Sequence, residues 1–78
     1  MARKKLVHVR WFDASYQNAE CHADDFTTRV ELETVGFLAR QDADNVSVAM
    51  EYYERDETWR HVSHIPRVNI IKLQYLKV

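Results

Sequence analysis

The chain has 78 residues, of which 46% are hydrophobic and 12% aromatic, with one glycine and one proline. This length allows one compact domain over residues 1–78 and excludes a multidomain enzyme. A composition with so many apolar residues and so few turn-forming residues also excludes a disordered chain. A domain this short buries only about 60% of its unfolded surface, so its stability is marginal and association between copies would add to it. We therefore expect one folded domain that forms homo-oligomers.

Charge is divided unevenly along the chain, although the net charge is only -1. Residues 1–10 and residues 58–78 each carry four Lys or Arg and no acid, whereas residues 11–57 carry all twelve acids and three arginines. The weak net charge excludes a uniformly basic nucleic-acid binder. Along its length the chain is basic, then acidic, then basic again.

Cysteine content and the first residues predict the compartment. Cys21 is the only cysteine, so an internal disulfide is impossible, whereas a secreted domain of this size usually needs several. The apolar run behind the basic residues 1–5 is interrupted by His8 and Arg10 and is too short for a signal core or a membrane span. We expect a cytoplasmic protein without membrane attachment.

Apolar and polar residues alternate from residue 6 onward, which predicts a half-buried first strand. One side of this strand carries Val7, Val9 and Trp11. The polar stretch over residues 13–28 lacks clean periodicity. We interpret it as a long connection between strands that has room for one short helix.

A second strand is predicted over residues 30–41, with a change of apolar parity in its middle. The expected inward positions are Val30, Leu32, Val35, Phe37 and Ala39. Such a one-residue change needs a bulge or a sharp bend. Gly36 lies at the change, and glycine suits a strongly bent strand where a side chain would clash.

Turns and strands alternate through the second half of the chain. They are an Asp/Asn turn over residues 42–45, a strand from residue 46 to 53, a charged turn over residues 54–57, and strands over residues 58–65 and 68–78. Pro66 breaks the last two strands apart because it has no N–H to donate to a ladder. The pattern predicts an all-β, five-stranded small barrel of the SH3-like or Sm-like kind. First and last strands lie side by side in such a barrel, so we expect both basic segments on one side and the acids on another.

Two segments resemble the two sequence motifs of Sm-like proteins. Residues 35–38, Val-Gly-Phe-Leu, lead into the Asp/Asn turn and a hydrophobic strand, as in the first motif. Residues 64–67, His-Ile-Pro-Arg, lead into the closing strand, as in the second. The resemblance implies that Asn45 and Arg67 contact RNA bases inside a ring of subunits.

The chain also resembles a group of small uncharacterised bacteriophage-encoded proteins. They share a Trp-x-Asp-like start, a Val-Gly-Phe-Leu strand and an Ile-Pro-Arg-x-x-Ile ending, which correspond here to residues 11–13, 35–38 and 65–70. This resemblance covers most of the chain outside residues 14–28. It implies a phage origin and the host cell's cytoplasm as the location, and it attaches no activity.

The pattern predicts neither an active site nor a metal site. His61 and His64 are three apart on a predicted strand and so face opposite sides, and the Cys-His pair at residues 21–22 is adjacent rather than spaced for chelation. The paired acids at residues 24–25 and 42–44 lie in turn-like segments without a nucleophile motif. A single glycine cannot make a phosphate-binding loop. We expect a protein that is not an enzyme and uses no metal or cofactor.

The basic ends and their neighbouring tryptophan are the best candidate for a binding surface. Lys and Arg interleaved with aromatic rings suit phosphates and stacked bases. We predict that an anionic ligand, nucleic acid or nucleotide, binds through Arg3, Lys4, Lys5, Arg10, Asn45, Trp59, Arg60 and Arg67.

Other interpretations use the same features. In the simplest, Trp11 is a core residue and the cations form an ordinary solvated face. A basic edge meeting the acidic edge of another copy would build a ring, and edge-strand pairing would build a dimer. The acidic connection, with the turns near Asp42 and Asp56, would suit an SH3-like module that binds a host protein. A component of the virion is the last alternative.

Overall fold

The structure, a computed structural model, describes residues 4–13, 20, 22–25 and 30–77. It is an all-β structure with five antiparallel strands in one sheet. In chain order the strands are β1 (Leu6–Asp13), β2 (Val30–Gln41), β3 (Asn45–Tyr53), β4 (Thr58–Pro66) and β5 (Ile70–Leu76). The prediction of an all-β fold with five strands is confirmed.

Hydrogen bonds join the strands in the order β4-β3-β2-β1-β5. The first and last strands are neighbours as expected, with Leu6 opposite Leu76 and Trp11 opposite Ile70. Strands β4 and β5 form the two edges, and no ladder joins them within the described residues. The sheet is therefore open, and the expected closure into a barrel is not confirmed.

The two edges nevertheless approach each other at one end of the sheet. A 3₁₀ helix of three residues, Arg67–Asn69, is all that links β4 to β5. A rise of about 2 Å per residue gives this link a span on the order of 10 Å. Five strands in a flat sheet would place the edges about 19 Å apart. The sheet must therefore curl strongly.

Curling brings residues from distant strands into one hydrophobic core. Its buried members come from β1, β3 and β4: Val7, Val9, Val46, Val48 and Ile65. Half-buried side chains from β1, β2 and β5 pack around them: Trp11, Leu38, Ile70 and Leu73. The indole N–H of Trp11 donates to the hydroxyl of Thr34 at 3.0 Å. The alternation predicted for β1 is confirmed, and Trp11 is a core residue.

Strand β2 changes partner along its length, pairing first with β1 and then with β3. At the crossover a Cβ atom on Gly36 would lie 2.5 Å from the carbonyl oxygen of Ala49, so the predicted clash of a side chain is confirmed.

The predicted position of the change in apolar parity along β2 is wrong. Val35 is 57% exposed, and inward positions continue to Leu38 because the bulge lies at Ala39.

The connection before β2 is described in part. Ala23–Asp25 form a 3₁₀ helix, and residues 20 and 22–25 contain no α-helix. Predictions for the rest of that connection, including Cys21, lie outside the described residues. Within the part of the chain that the structure describes, no helix is long and apolar enough to cross a membrane.

Candidate functional site

Three aromatic side chains gather where the β3–β4 hairpin leaves the rest of the sheet. Tyr52 and Trp59 stand opposite each other in the hairpin, and their ring centroids are 4.4 Å apart. The ring of Phe37, from β2, is 6.5 Å from that of Trp59. We call Phe37, Tyr52 and Trp59 the aromatic cluster.

The cluster carries a cation from the segment that precedes β1. The ammonium of Lys4 lies 4.5 Å from the ring centroid of Tyr52 and 5.3 Å from that of Trp59. A cation over an aromatic face is attracted by the negative charge of the π-system. The structure thus brings together two of the residues predicted from sequence, Lys4 and Trp59.

The aromatic cluster adjoins an apolar row that crosses the whole sheet on the face opposite the core. One residue from each strand, in sheet order, forms this row: Leu76, Leu6, Phe37, Ala49 and Val62. Ala49 is completely buried, so this face is covered at its middle. The sheet therefore has apolar side chains on both faces, and part of its second face is buried from solvent.

A pocket of about 450 Å³ opens beside Trp59. Its walls come from β2, β3, β4 and the turn between β2 and β3: Ala39, Arg40, Asp42, Asn45, Ser47, Trp59, Val62 and His64. Trp59 and Val62 make one side apolar, while the turn and the hairpin supply polar groups. Pockets of about 300–1,000 Å³ are typical of small-molecule and cofactor sites. The predicted residues Asn45 and Trp59 thus share one concave site.

A serine and a histidine are hydrogen-bonded to each other in the pocket wall. The Oγ of Ser47 lies 2.8 Å from the Nδ1 of His64, and the two residues are cross-strand partners in the β3–β4 ladder. Ser47 is only 8% exposed, whereas His64 is exposed. The other ring nitrogen of His64, Nε2, has no partner among the described residues. That nitrogen is available to a ligand.

The turn that rims the pocket is held by the carboxylate of Asp42. Its Oδ1 accepts the N–H groups of Asn45 at 2.8 Å and Asp44 at 2.9 Å, and its Oδ2 accepts from Arg40 at 3.2 Å. These contacts, the N–H of Asn45 first, hold the pKa of the Asp42 carboxyl below its usual value. Asp42 is therefore ionised at neutral pH and places a negative charge in the pocket wall.

Arg67 braces the same turn from the junction of β4 and β5. Its Nε donates to the carbonyl oxygen of Asp42 at 2.5 Å, and its Nη2 donates to the Oε1 of Gln41 at 2.9 Å. Its backbone N–H donates to the carbonyl oxygen of Asp44 at 2.9 Å. These bonds give Arg67 a structural role. The RNA contact that the Sm-like resemblance implies for it stays a prediction.

Two other predicted arginines are paired with acids. Arg10 binds Glu31 through two guanidinium nitrogens, and this hydrogen bonding raises the pKa of Arg10. The Nη2 of Arg60 lies 3.7 Å from the Oε2 of Glu51, its cross-strand partner. On the same face of β1 and β2, the Nε2 of His8 lies 2.8 Å from Glu33. The predicted separation of basic and acidic sides is therefore wrong where β1 meets β2.

Lys5 is not among the residues that line the pocket. The ammonium of Lys5 is 5.3 Å from the ring centroid of Tyr75 on β5. Arg3 lies outside the described residues. Of the predicted set, Lys4, Asn45 and Trp59 thus lie at the pocket or on the aromatic cluster beside it.

Sequence reasoning missed Arg40, Ser47 and His64. A signal for the last two existed, because a hairpin that turns over residues 54–57 places Ser47 directly opposite His64. His61 has left-handed backbone, with φ of 56°, and its Nε2 lies 3.4 Å from Glu51. In the described part of the chain, no three His, Cys, Asp or Glu side chains are grouped to hold a metal ion.

Comparisons of the chain with protein-family models, with curated proteins and with solved structures found no match. The resemblances to Sm-like proteins and to the phage-encoded group therefore stay predictions.

Proposed function

We propose that this protein is a non-enzymatic binding module that takes an anionic ligand, a nucleic acid or a nucleotide, at the pocket and the aromatic cluster. One observation carries the proposal: Trp59 forms a wall of the pocket and also lies beneath the ammonium of Lys4. An aromatic wall of the pocket and a cation for a phosphate are therefore in direct contact.

The chemistry of single-stranded nucleic acids matches this arrangement. Stacking of a base on an aromatic side chain contributes about 1–3 kcal/mol, and Lys and Arg along the groove attract the backbone. Lys4 has no acidic partner among the described residues. Among the described residues Arg40, in the pocket wall, binds Asp42 alone and has further N–H groups to donate to a ligand.

The same proposal includes the SH3-like or Sm-like class for the fold. The strand order supports it, because a closed barrel would need only the two edge strands, β4 and β5, to pair. The three-residue link between those strands and the close approach of β2 and β3 at Gly36 support it as well.

Homo-oligomer formation belongs to the proposal too. Both edge strands lack a ladder on one side within the described residues, and such edges pair readily with other chains. The segment at the β5 edge is also apolar, with Val68 at 94% exposed and Ile71 and Tyr75 exposed. Native mass spectrometry tests this point and reports any retained ligand. A bare monomer at every concentration would contradict it.

Binding is tested by fluorescence anisotropy with labelled single-stranded RNA and DNA. We expect Trp59→Ala to weaken binding about 30-fold, the middle of the range for one stacked base. Its control is Tyr53→Ala, which removes an exposed ring near the tip of the same hairpin.

The role of the cation is tested in the same titration at two salt concentrations. Lys4→Ala is expected to weaken binding and to reduce the slope of log affinity against log salt by about 1. Lys72→Ala removes the same charge beside Arg10, away from the aromatic cluster, and serves as its control. Equal binding by each variant and its control would contradict the proposal. Salt-insensitive capture of one host protein without nucleic acid would favour a protein-interaction module instead.

A further inference from the structure

We propose that the pocket receives one nucleobase, with Asn45 and His64 bonding the edge of the base and Trp59 bounding it on the apolar side. This inference rests on the proposed function and extends it, because it states which part of a nucleotide enters the pocket. The phosphate stays outside, towards Lys4.

The charge of the pocket wall argues for a neutral group inside. The ionised carboxylate of Asp42 lines the pocket, and among the described residues its Oδ2 accepts a single hydrogen bond, from Arg40. Because the guanidinium of Arg40 in the same wall pairs with that carboxylate at 3.2 Å, the two offer a phosphate no net positive charge. A base is uncharged at neutral pH and carries both donors and acceptors, so it suits a wall of this kind.

Two polar side chains in the wall keep their hydrogen-bonding groups for a ligand. The turn uses only the backbone of Asn45, whose N–H donates to the Oδ1 of Asp42 and whose carbonyl oxygen accepts from the N–H of Asp42. The side-chain amide of Asn45 has no partner among the described residues and offers one acceptor and two donors. The Nε2 of His64 adds a further group on the hairpin side of the pocket.

Ser47 orients the imidazole before any ligand arrives. It is nearly buried and holds the Nδ1 of His64 at 2.8 Å, so the ring needs little ordering on binding. If the serine hydroxyl donates to Nδ1, then Nε2 carries the hydrogen and donates to the base. If Nδ1 donates to the serine, then Nε2 accepts. Both tautomers bond a base edge, since bases present donors and acceptors together.

The test is isothermal titration calorimetry of the wild-type protein with the four nucleoside 5′-monophosphates and with ribose 5-phosphate, which has the same phosphate and no base. We expect at least one nucleotide to bind about 10-fold or more tightly than ribose 5-phosphate, the discrimination typical of a hydrogen-bonded base contact. Because this comparison uses unmodified protein, it does not depend on the folding of a variant.

Variants then assign the contact to His64. His64→Ala is expected to weaken binding of the preferred nucleotide about 10-fold and His64→Gln to weaken it less, because an amide restores a donor and an acceptor. His61→Asn is the matched control: this histidine is on the same strand, outside the pocket wall, and asparagine tolerates its left-handed backbone. Ser47→Ala is expected to weaken binding of the nucleotide while leaving that of ribose 5-phosphate unchanged.

The outcomes separate this inference from the proposed function. Equal affinity for ribose 5-phosphate and every nucleotide, or equal effects of His64→Ala and His61→Asn, would overturn the base pocket. If oligonucleotide binding then still depends on Trp59, the proposed function stands without the base pocket. Failure of oligonucleotides and nucleotides alike to bind would overturn both.

Discussion

A Cβ atom placed on Gly36 would lie 2.5 Å from the carbonyl oxygen of Ala49 and 2.9 Å from the Cγ1 of Val48. Contacts under 3.0 Å are essentially never made by real Cβ atoms, and the nearer obstacle here is backbone, which cannot rotate away. At this point β2 leaves β1 and crosses to β3. Glycine is therefore required where the strands cross.

Gly36→Ala should destabilise the protein by about 1–3 kcal/mol, the usual cost of overpacking a close contact. The free energy of unfolding, measured by urea titration with circular dichroism, checks this. Val35→Ala is the control, because the neighbouring side chain is exposed and its loss is expected to cost less than about 0.5 kcal/mol. An equal loss of stability in the two variants would contradict the crowding argument.

Local alternation was enough to predict the five strands, but it was not enough to predict how they close. The core positions of β1, Val7 and Val9, follow from a period of two. Whether β4 pairs with β5 depends on curvature across the whole sheet, which no local pattern records. The sequence pattern placed the bulge at Gly36, whereas the structure has it at Ala39. The pattern failed because a polar residue, Thr34, takes an inward position, where its hydroxyl accepts from the indole of Trp11.

The candidate site was predicted in part. Trp59 stood out as an aromatic residue between charges, and the pocket contains it. The partners of the cations were not predictable, because the pairing of Arg10 with Glu31 depends on the register between two strands that a long connection separates. The hairpin register was predictable from its turn. The contact between Ser47 and His64 followed from that register.

The hydrogen bonds of Arg67 to the turn predict that replacing this arginine lowers the stability of the fold, even when the replacement keeps the positive charge. Arg67→Ala and Arg67→Lys should each cost about 1 kcal/mol, because lysine keeps the charge but cannot reach Asp42 and Gln41 with one fixed fork. Urea titration measures both. Arg55→Ala, in the turn between β3 and β4, is the control and is expected to change stability by less than about 0.5 kcal/mol.

If Arg67→Lys is as stable as wild type, the hydrogen bonds to the turn contribute nothing and only the charge matters. If both Arg67 variants are destabilised yet bind RNA normally at a temperature where they remain folded, the RNA contact implied by the Sm-like resemblance is wrong. Measuring both stability and RNA binding thus distinguishes a structural role of Arg67 from a role in contacting the ligand.

The bond between Trp11 and Thr34 joins β1 and β2 at the side of the core. Thr34→Val keeps the shape of the side chain but leaves the half-buried indole N–H without its acceptor at 3.0 Å, which should cost about 1–2 kcal/mol. Thr58→Val, at the exposed start of β4, is the control. Equal stability of the two variants in urea titration would mean that water replaces the bond at no cost.

The lowered pKa of Asp42 predicts how one contact responds to acid. Because the folded state binds the proton of this carboxyl more weakly than the unfolded state, the charge of Asp42 stabilises the fold above its ordinary pKa of 3.8. That contribution is lost as the pH falls through the lower pKa of the folded state. Asp42→Asn retains an acceptor for the two N–H groups of the turn but lacks the charge facing Arg40.

We therefore expect Asp42→Asn to be less stable than wild type near neutral pH, and the difference to shrink as the pH is lowered below about 4. Urea midpoints measured for both proteins across this range give the result. Asp44→Asn is the matched control, because its side chain makes no hydrogen bond in the described part of the chain. A difference between wild type and Asp42→Asn that stays constant with pH would show that the carboxylate acts only through its shape.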